Sequence, residues 1–199
     1  MKEKTKKIKG SDNPYVGDAY CFIAIERETK LVLAWHLGRR SAEDTMEFTE
    51  KLNEATQGHF QLTTDGFKAY MYAVSYSLGT RVDFAQLIKV YAAQREREQR
   101  YSPAEVVETI RQIQIGNPAL DRICTSHIER QNLNVRMAMR RMTRLTNGFS
   151  RKWENLKAAY ALYFAYYNFC RVHSTLRVTP AMESGITDHV WSLTELLAA

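Results

Sequence analysis

Phe60-Gln61-Leu62-Thr63-Thr64-Asp65-Gly66-Phe67-Lys68-Ala69-Tyr70 is the stretch on which the fold turns. Residues 60–64 read as a short β-strand, and Gly66 permits a sharp departure into a helix over 67–78, where Tyr70, Ala73, Val74 and Leu78 recur at helical spacing. Asp65 is thereby left at the carboxyl end of a strand, which is where open α/β sheets place ligands and metals. The same carboxylate would also serve as the N-cap of a helix beginning at Phe67, and the residues alone leave both roles open.

Upstream, two short apolar runs, residues 19–25 and 31–37, are joined by a polar turn and predict an antiparallel hairpin with a buried face. Ser41 with Asp44 resembles a capping box with Asp in place of Glu or Gln. It opens a helix that turns Met46, Phe48 and Leu52 inward and ends near Gly58. Residues 1–17 read as a basic flexible arm or loop, with Gly10, Pro14 and Gly17 as breakers. Downstream, residues 82–92 suit a strand, with a helix as the alternative. Residues 94–121 read as an insertion with a helix starting at Ser102-Pro103, and helices follow over 126–145 and 150–170. The order strand–strand–helix–strand–helix–strand, then long helices, predicts an α/β sheet with packed helices in one domain over 18–199.

Ten Lys/Arg against Glu129 and Glu154 give residues 126–177 a local balance of +8 within a chain whose net charge is +6, leaving the remainder slightly acidic. Charge concentrated in this way fits a polyanion partner, or else a solvated basic face. No apolar stretch approaches the roughly 20 residues of a membrane span, so no membrane partner is expected. Cys21, Cys124 and Cys170 have neither zinc nor disulfide spacing, which makes a reducing cytoplasm the default compartment. There is no Gly-x-Ser-x-Gly elbow, phosphate-binding Gly-rich loop or zinc-protease motif.

Glu129, Asn132 and Arg136 fall at i, i+3 and i+7 and share one helical face, while Ile128, Val135, Met139 and Met142 form an apolar stripe. A metal ligand beside phosphates suits that pattern. So does a capping box between Ser126 and Glu129, or a plain DNA-facing helix carrying Arg130, Arg136, Arg140, Arg141 and Arg144. Trp153, Leu156, Tyr160, Phe164 and Tyr167 step at helical spacing and predict core packing. Arg171, His173 and Arg177 follow with a Thr179-Pro180 turn, and His173 suits a phosphate contact and a turn-fixing role equally.

Four segments in order carry a family resemblance. They are Leu62-Thr63-Thr64-Asp65-Gly66-Phe67-Lys68-Ala69-Tyr70, Ser126-His127-Ile128-Glu129-Arg130-Gln131-Asn132, Met139-Arg140-Arg141-Met142-Thr143-Arg144-Leu145-Thr146-Asn147, and the tail over 163–181 with its Tyr-Asn…Arg-x-His-x-Thr-Leu pattern. Together, over roughly 18–195, the chain resembles bacterial DDE transposases related to the insertion-sequence-one family. The resemblance implies an RNase H-like fold and three carboxylates binding two divalent ions, Mg²⁺ or Mn²⁺. It also implies metal-dependent strand cleavage and joining at transposon ends. It makes Asp65 the second and Glu129 the third carboxylate, with Asn132, Arg136, Arg140, Arg141, Arg144, Arg171, His173 and Arg177 on DNA. It implies double-stranded DNA as partner, homo-oligomers assembled on it, and a cytoplasmic, nucleoid-associated protein. The family's first Asp lies within its first strand, in an Asp-Glu-x-Trp-like segment absent here. Asp18 stands only at a strand edge, and the expectation is that this chain starts inside the catalytic domain. A DNA-binding remnant or regulator without the chemistry, and an RNase H-like nuclease that cuts without joining, are the rival functions.

Overall fold

The computed structural model describes residues 19–92, 106–143, 147–148, 150 and 152–198. The arm over 1–17, Asp18, part of the 94–121 segment and Arg144 lie outside the described residues. The chain divides into two compact units, residues 1–40 with 127–199, and residues 41–126.

In the first unit, β1 (Tyr20–Ile25) and β2 (Val32–Gly38) pair antiparallel, with an irregularity between Ala24 and Ile25. The expected hairpin is therefore present. Its turn is locked from within: the Glu26 carboxylate accepts from the Thr29 N–H and hydroxyl, and Lys30, at φ 60, donates its ammonium to the Arg27 carbonyl. α3 (Ser126–Ala138) and α4 (Trp153–Phe169) complete this unit's core, with the short α5 (Pro180–Glu183) and α6 (Leu193–Ala198) after them. Tyr160, Tyr163, Phe164 and Tyr167 of α4 are buried with Val32, Leu37 and Val135, and Trp35, Met139, Met142, Trp153 and Leu156 pack around them. The aromatic stripe is core, as its spacing predicts. Burial of four aromatic side chains on one helix supplies a large apolar area to a small unit, since each removes on the order of 150–250 Å² from water. Asn168 closes the packing by a two-way clasp, accepting from the Val32 N–H and donating to the Val32 carbonyl, both at 3.0 Å.

The second unit holds α1 (Ala42–Glu54), β3 (Phe60–Asp65), α2 (Ala69–Ser77), β4 (Val82–Tyr91) and β5 (Val106–Ile115). Ser41 caps α1 by accepting from the Asp44 N–H at 3.1 Å, as predicted. β3 runs parallel to β4 across the α2 crossover, and β5 runs antiparallel to β4, giving a three-stranded mixed sheet in the order β3-β4-β5. This sheet, the separate hairpin and the helices make the architecture mixed α/β. The helix start expected at Ser102-Pro103 lies outside the described residues, and over 106–115 the chain is strand, because β4 offers a ten-residue edge that pairs along their length. The strand reading of residues 82–92 holds. α2 starts at Ala69, two residues later than predicted, and α3 stops at Ala138, a 3₁₀ turn over Arg140–Met142 replacing its last expected turns. Among the described residues no helix is long and apolar enough to cross a membrane.

Candidate functional site

Asp65 is the last residue of β3 and is exposed. Its Oδ1 accepts from the Phe67 N–H at 3.1 Å, a local turn closed by the side chain itself. The helix cap considered for Asp65 is not formed, because α2 begins later, after Lys68, with no side-chain cap. Gly66 is required for a reason beyond flexibility. A Cβ there would lie 2.9 Å from Ile88 Cγ1, so only glycine lets the chain leave β3 this close to β4.

Gln86 holds this corner from below. It sits mid-β4, 2% exposed, and its Nε2 donates to the Asp65 carbonyl at 2.9 Å and the Phe67 carbonyl at 3.2 Å. Its Oε1 accepts from Gln114 Nε2 at 3.1 Å, so a chain of two amides runs from β5 through β4 to the loop carrying Asp65. A buried amide with all these partners is rigid, since breaking one leaves a polar group unsatisfied in a dry site. Sequence reasoning does not single out Gln86; its one signal is an uncharged polar residue between Asp83 and Lys89 in the otherwise apolar run 82–92. Gln61 clamps the same unit elsewhere, accepting from the Ala119 N–H at 2.9 Å and donating to its carbonyl at 3.1 Å.

Glu129 belongs to the first turn of α3 and is exposed, with Asn132 exposed and Arg136 half-buried. Gln131 and Val135 are buried, so the split expected between a polar face and an anchored face is present, with Gln131 an unforeseen polar member of the buried side. Ser126 is the first helical residue rather than the cap, and its hydroxyl points to Cys124 Sγ at 3.7 Å. The helix cap suggested for Asp65 is therefore replaced by a turn closed by its own side chain. Asp65 and Glu129 belong to different units.

The basic residues divide by role. Arg141 Nη1 donates to Ser150 Oγ at 2.9 Å and to the Asn155 carbonyl at 3.1 Å, tying the chain beyond α3 to the start of α4. Arg140, Arg171 and Arg177 are exposed, and Arg177 holds φ 68. His173 Nδ1 accepts from the Thr175 N–H at 3.3 Å and its own N–H donates to the Val178 carbonyl at 2.9 Å. It thus fixes the turn, while Nε2 stays outside these bonds. Burial, then Lys30, Arg171 and Arg130, hold the His173 imidazole below its ordinary pKa. Where a Thr179-Pro180 turn is expected, Thr179 caps the short α5, its Oγ1 accepting from the Met182 N–H at 3.2 Å. Burial pushes the Cys21 thiol up to about 12, against a hydrogen bond with Tyr160, which disfavours its thiolate.

Comparison of the chain with family models, with curated proteins and with solved structures finds no match.

Proposed function

We propose that this chain is catalytic-domain sequence of a DNA transposase with an RNase H-like fold, contributing Asp65 and Glu129 to a metal-dependent phosphoryl-transfer site. The observation that carries the reading is the β3–α2–β4 corner. A carboxylate stands exposed at the carboxyl end of a parallel strand, on a loop pinned by a buried amide, where an α/β sheet binds ligands. The presence of an antiparallel hairpin and of a parallel strand pair, and the ordered resemblance of four segments, support the RNase H-like assignment.

The donor chemistry fits a hard divalent cation. Asp65 and Glu129 are exposed carboxylates, and Mg²⁺ or Mn²⁺ takes oxygen ligands, commonly one or two carboxylates with substrate phosphates. When bound, such ions supply Lewis-acid polarisation of a phosphate and a more acidic water or hydroxyl. The chain's own contribution is positional and electrostatic. The Phe67 N–H fixes one Asp65 oxygen and Gln86 fixes the backbone beneath it, so the carboxylate need not be ordered during reaction. On α3, Asn132 and Arg136 share the Glu129 face and offer donors to phosphate oxygens. The partner is double-stranded DNA at transposon ends, met as an oligomer on the bacterial nucleoid.

The test uses labelled transposon-end duplexes, Mg²⁺ and the natural reading frame that encodes this chain. The expected result is cleaved and end-joined product from the wild type. Asp65→Asn and Glu129→Gln should give neither, while binding DNA within about two-fold of wild type, a loss of transition-state stabilisation alone. Cleavage without joining would make the protein a nuclease. Binding without cleavage by the wild type would make it a non-catalytic DNA-binding protein.

A further inference from the structure

The outward face of α2 is apolar. Lys68, Met71, Tyr72, Ser75 and Tyr76 recur at helical steps and are all exposed, while Ala73, Val74 and Leu78 on the other side are buried. A surface helix ordinarily carries charge toward solvent, yet α2 has no charged residue from Ala69 to Ser77. Tyr72 and Tyr76 are 66% and 68% exposed and Met71 46%. Single exposed apolar side chains need no explanation, but three that adjoin on one face form the kind of patch that marks an interaction site. These two tyrosines do not serve the core. Tyr70 does that, meeting Phe67 and Phe48 edge-on at interplanar angles of 86° and 66°.

Geometry and charge narrow the occupant. The Tyr72 and Tyr76 rings lie nearly parallel, with centroids 6.0 Å apart and an interplanar angle of 24°. An offset parallel pair keeps its outer ring faces open, whereas an edge-on pair covers one face with the edge of the other ring. A flat aromatic ligand can therefore extend this stack. Lys68 already has helical dihedrals, φ −60 and ψ −31, so it lines up with the two rings at i, i+4 and i+8. The row runs about 12 Å along the helix. One cation in line with two open ring faces matches a nucleotide chain, whose bases stack and whose phosphates are anionic. A second copy docked through the same face would bring no carboxylate to meet Lys68, because the face carries none.

We propose that Lys68, Tyr72 and Tyr76 form a stacking platform for unpaired nucleotides of single-stranded DNA. Bases in a duplex cover one another's faces, so an unpaired base is what adds to the tyrosine stack. Lys68 takes a phosphate of the same strand. Such stacking is sequence-tolerant, because every base has a ring face. The platform begins three residues after Asp65, just past the corner that Gln86 pins, so the strand it holds flanks the phosphate to be cut. That placement, and the choice of DNA, rest on the transposase reading; the preference for unpaired bases rests on the two rings and Lys68.

The experiment titrates the full chain, in EDTA, into a single-stranded DNA carrying a fluorescent base analogue whose emission falls on stacking, and in parallel into a blunt duplex of the same sequence. Circular dichroism melting verifies folding; the replaced side chains are exposed, so the variants should melt near the wild type. Wild-type protein should quench the single strand. Tyr72→Ala and Tyr76→Ala should each weaken single-strand binding about ten-fold and reduce the quench, while changing duplex affinity by less than about two-fold. Tyr72→Phe and Tyr76→Phe should behave as wild type, because the ring and not the hydroxyl is the platform. Lys68→Gln should lower the slope of log K against log salt by about 0.7 and keep the quench at low salt. Wild-type binding and quench in both alanine variants, or no quench by the wild type, would overturn the platform. So would a wild-type dimer in sedimentation that Tyr72→Ala dissolves with oligonucleotide binding unchanged, which would make the face an interface between copies. Tighter, tyrosine-dependent binding of the RNA of the same sequence would overturn the DNA assignment. Because no metal is present, cleavage with tyrosine-independent binding sinks the platform alone. Tyrosine-dependent binding without cleavage sinks the phosphoryl-transfer reading alone.

Discussion

The side-chain amide of Gln86 donates to the backbone carbonyl of Asp65 at 2.9 Å, from a position in β4 that is almost wholly buried. A strand neighbour thus sets where the β3 carboxylate emerges, and the carboxylate's own oxygen is oriented by the Phe67 N–H. Asp65 is placed by hydrogen bonds on both its main chain and its side chain.

Replacing Gln86 with Leu should therefore destabilise the protein by about 2 kcal/mol, because the carbonyls of Asp65 and Phe67 lose a donor and Gln114 loses its acceptor. Urea denaturation measures this. In the cleavage assay, Gln86→Leu should lower kcat while leaving DNA affinity near wild type, since the residue acts through Asp65 rather than on DNA. Unchanged stability and unchanged kcat would remove Gln86 from the account.

Gly66→Ala should cost about 1–3 kcal/mol, because the added methyl meets Ile88 Cγ1 at 2.9 Å. The double variant Gly66→Ala/Ile88→Ala should recover part of that loss, giving a coupling energy in a double-mutant cycle. Strict additivity would mean that the close approach of the two chains does not constrain this corner.

Acid should weaken the first unit. The His127 imidazole is held below its ordinary value by burial, then by Lys30 and Arg27, against Glu28 and Glu26. His173 is lowered by burial, then by Lys30, Arg171 and Arg130. A lowered folded-state pKa means that the unfolded chain takes up the proton first. Stability is therefore fully present above about 6.5 and is lost as pH falls from there through the lowered values. His189, raised by hydrogen bonds to Asp188 and Glu195, acts in the opposite sense. The decisive comparison is consequently wild type against a His127→Gln/His173→Gln variant, in urea melts from pH 7.5 to 5. The variant should show the smaller loss; equal losses would contradict the assignment.

Much of this was legible in one dimension. The hairpin, the β3 strand ending in Asp65 and the aromatic stripe of α4 follow from apolar runs and spacing, because each buries a face whose pattern is local. β5 was not legible: Ser102-Pro103 is a helix-start signal, and residues 106–115 become strand only because β4 lies beside them. Gln86, Gln61 and Asn168 were missed for a related reason. Each amide bonds the backbone of a residue remote in sequence, Asp65, Ala119 and Val32 respectively, and no spacing rule encodes such a pairing.

The central claim, that Asp65 and Glu129 hold a divalent cation, is tested most directly by loading the protein with Fe²⁺ in place of Mg²⁺ and generating hydroxyl radicals at the bound metal. Backbone cuts, mapped by mass spectrometry, should fall within a few residues of Asp65 and of Glu129. They should be suppressed by excess Mg²⁺ and should disappear from both sites in Asp65→Asn. Cuts that avoid both positions, or that persist unchanged in Asp65→Asn and Glu129→Gln, would contradict it.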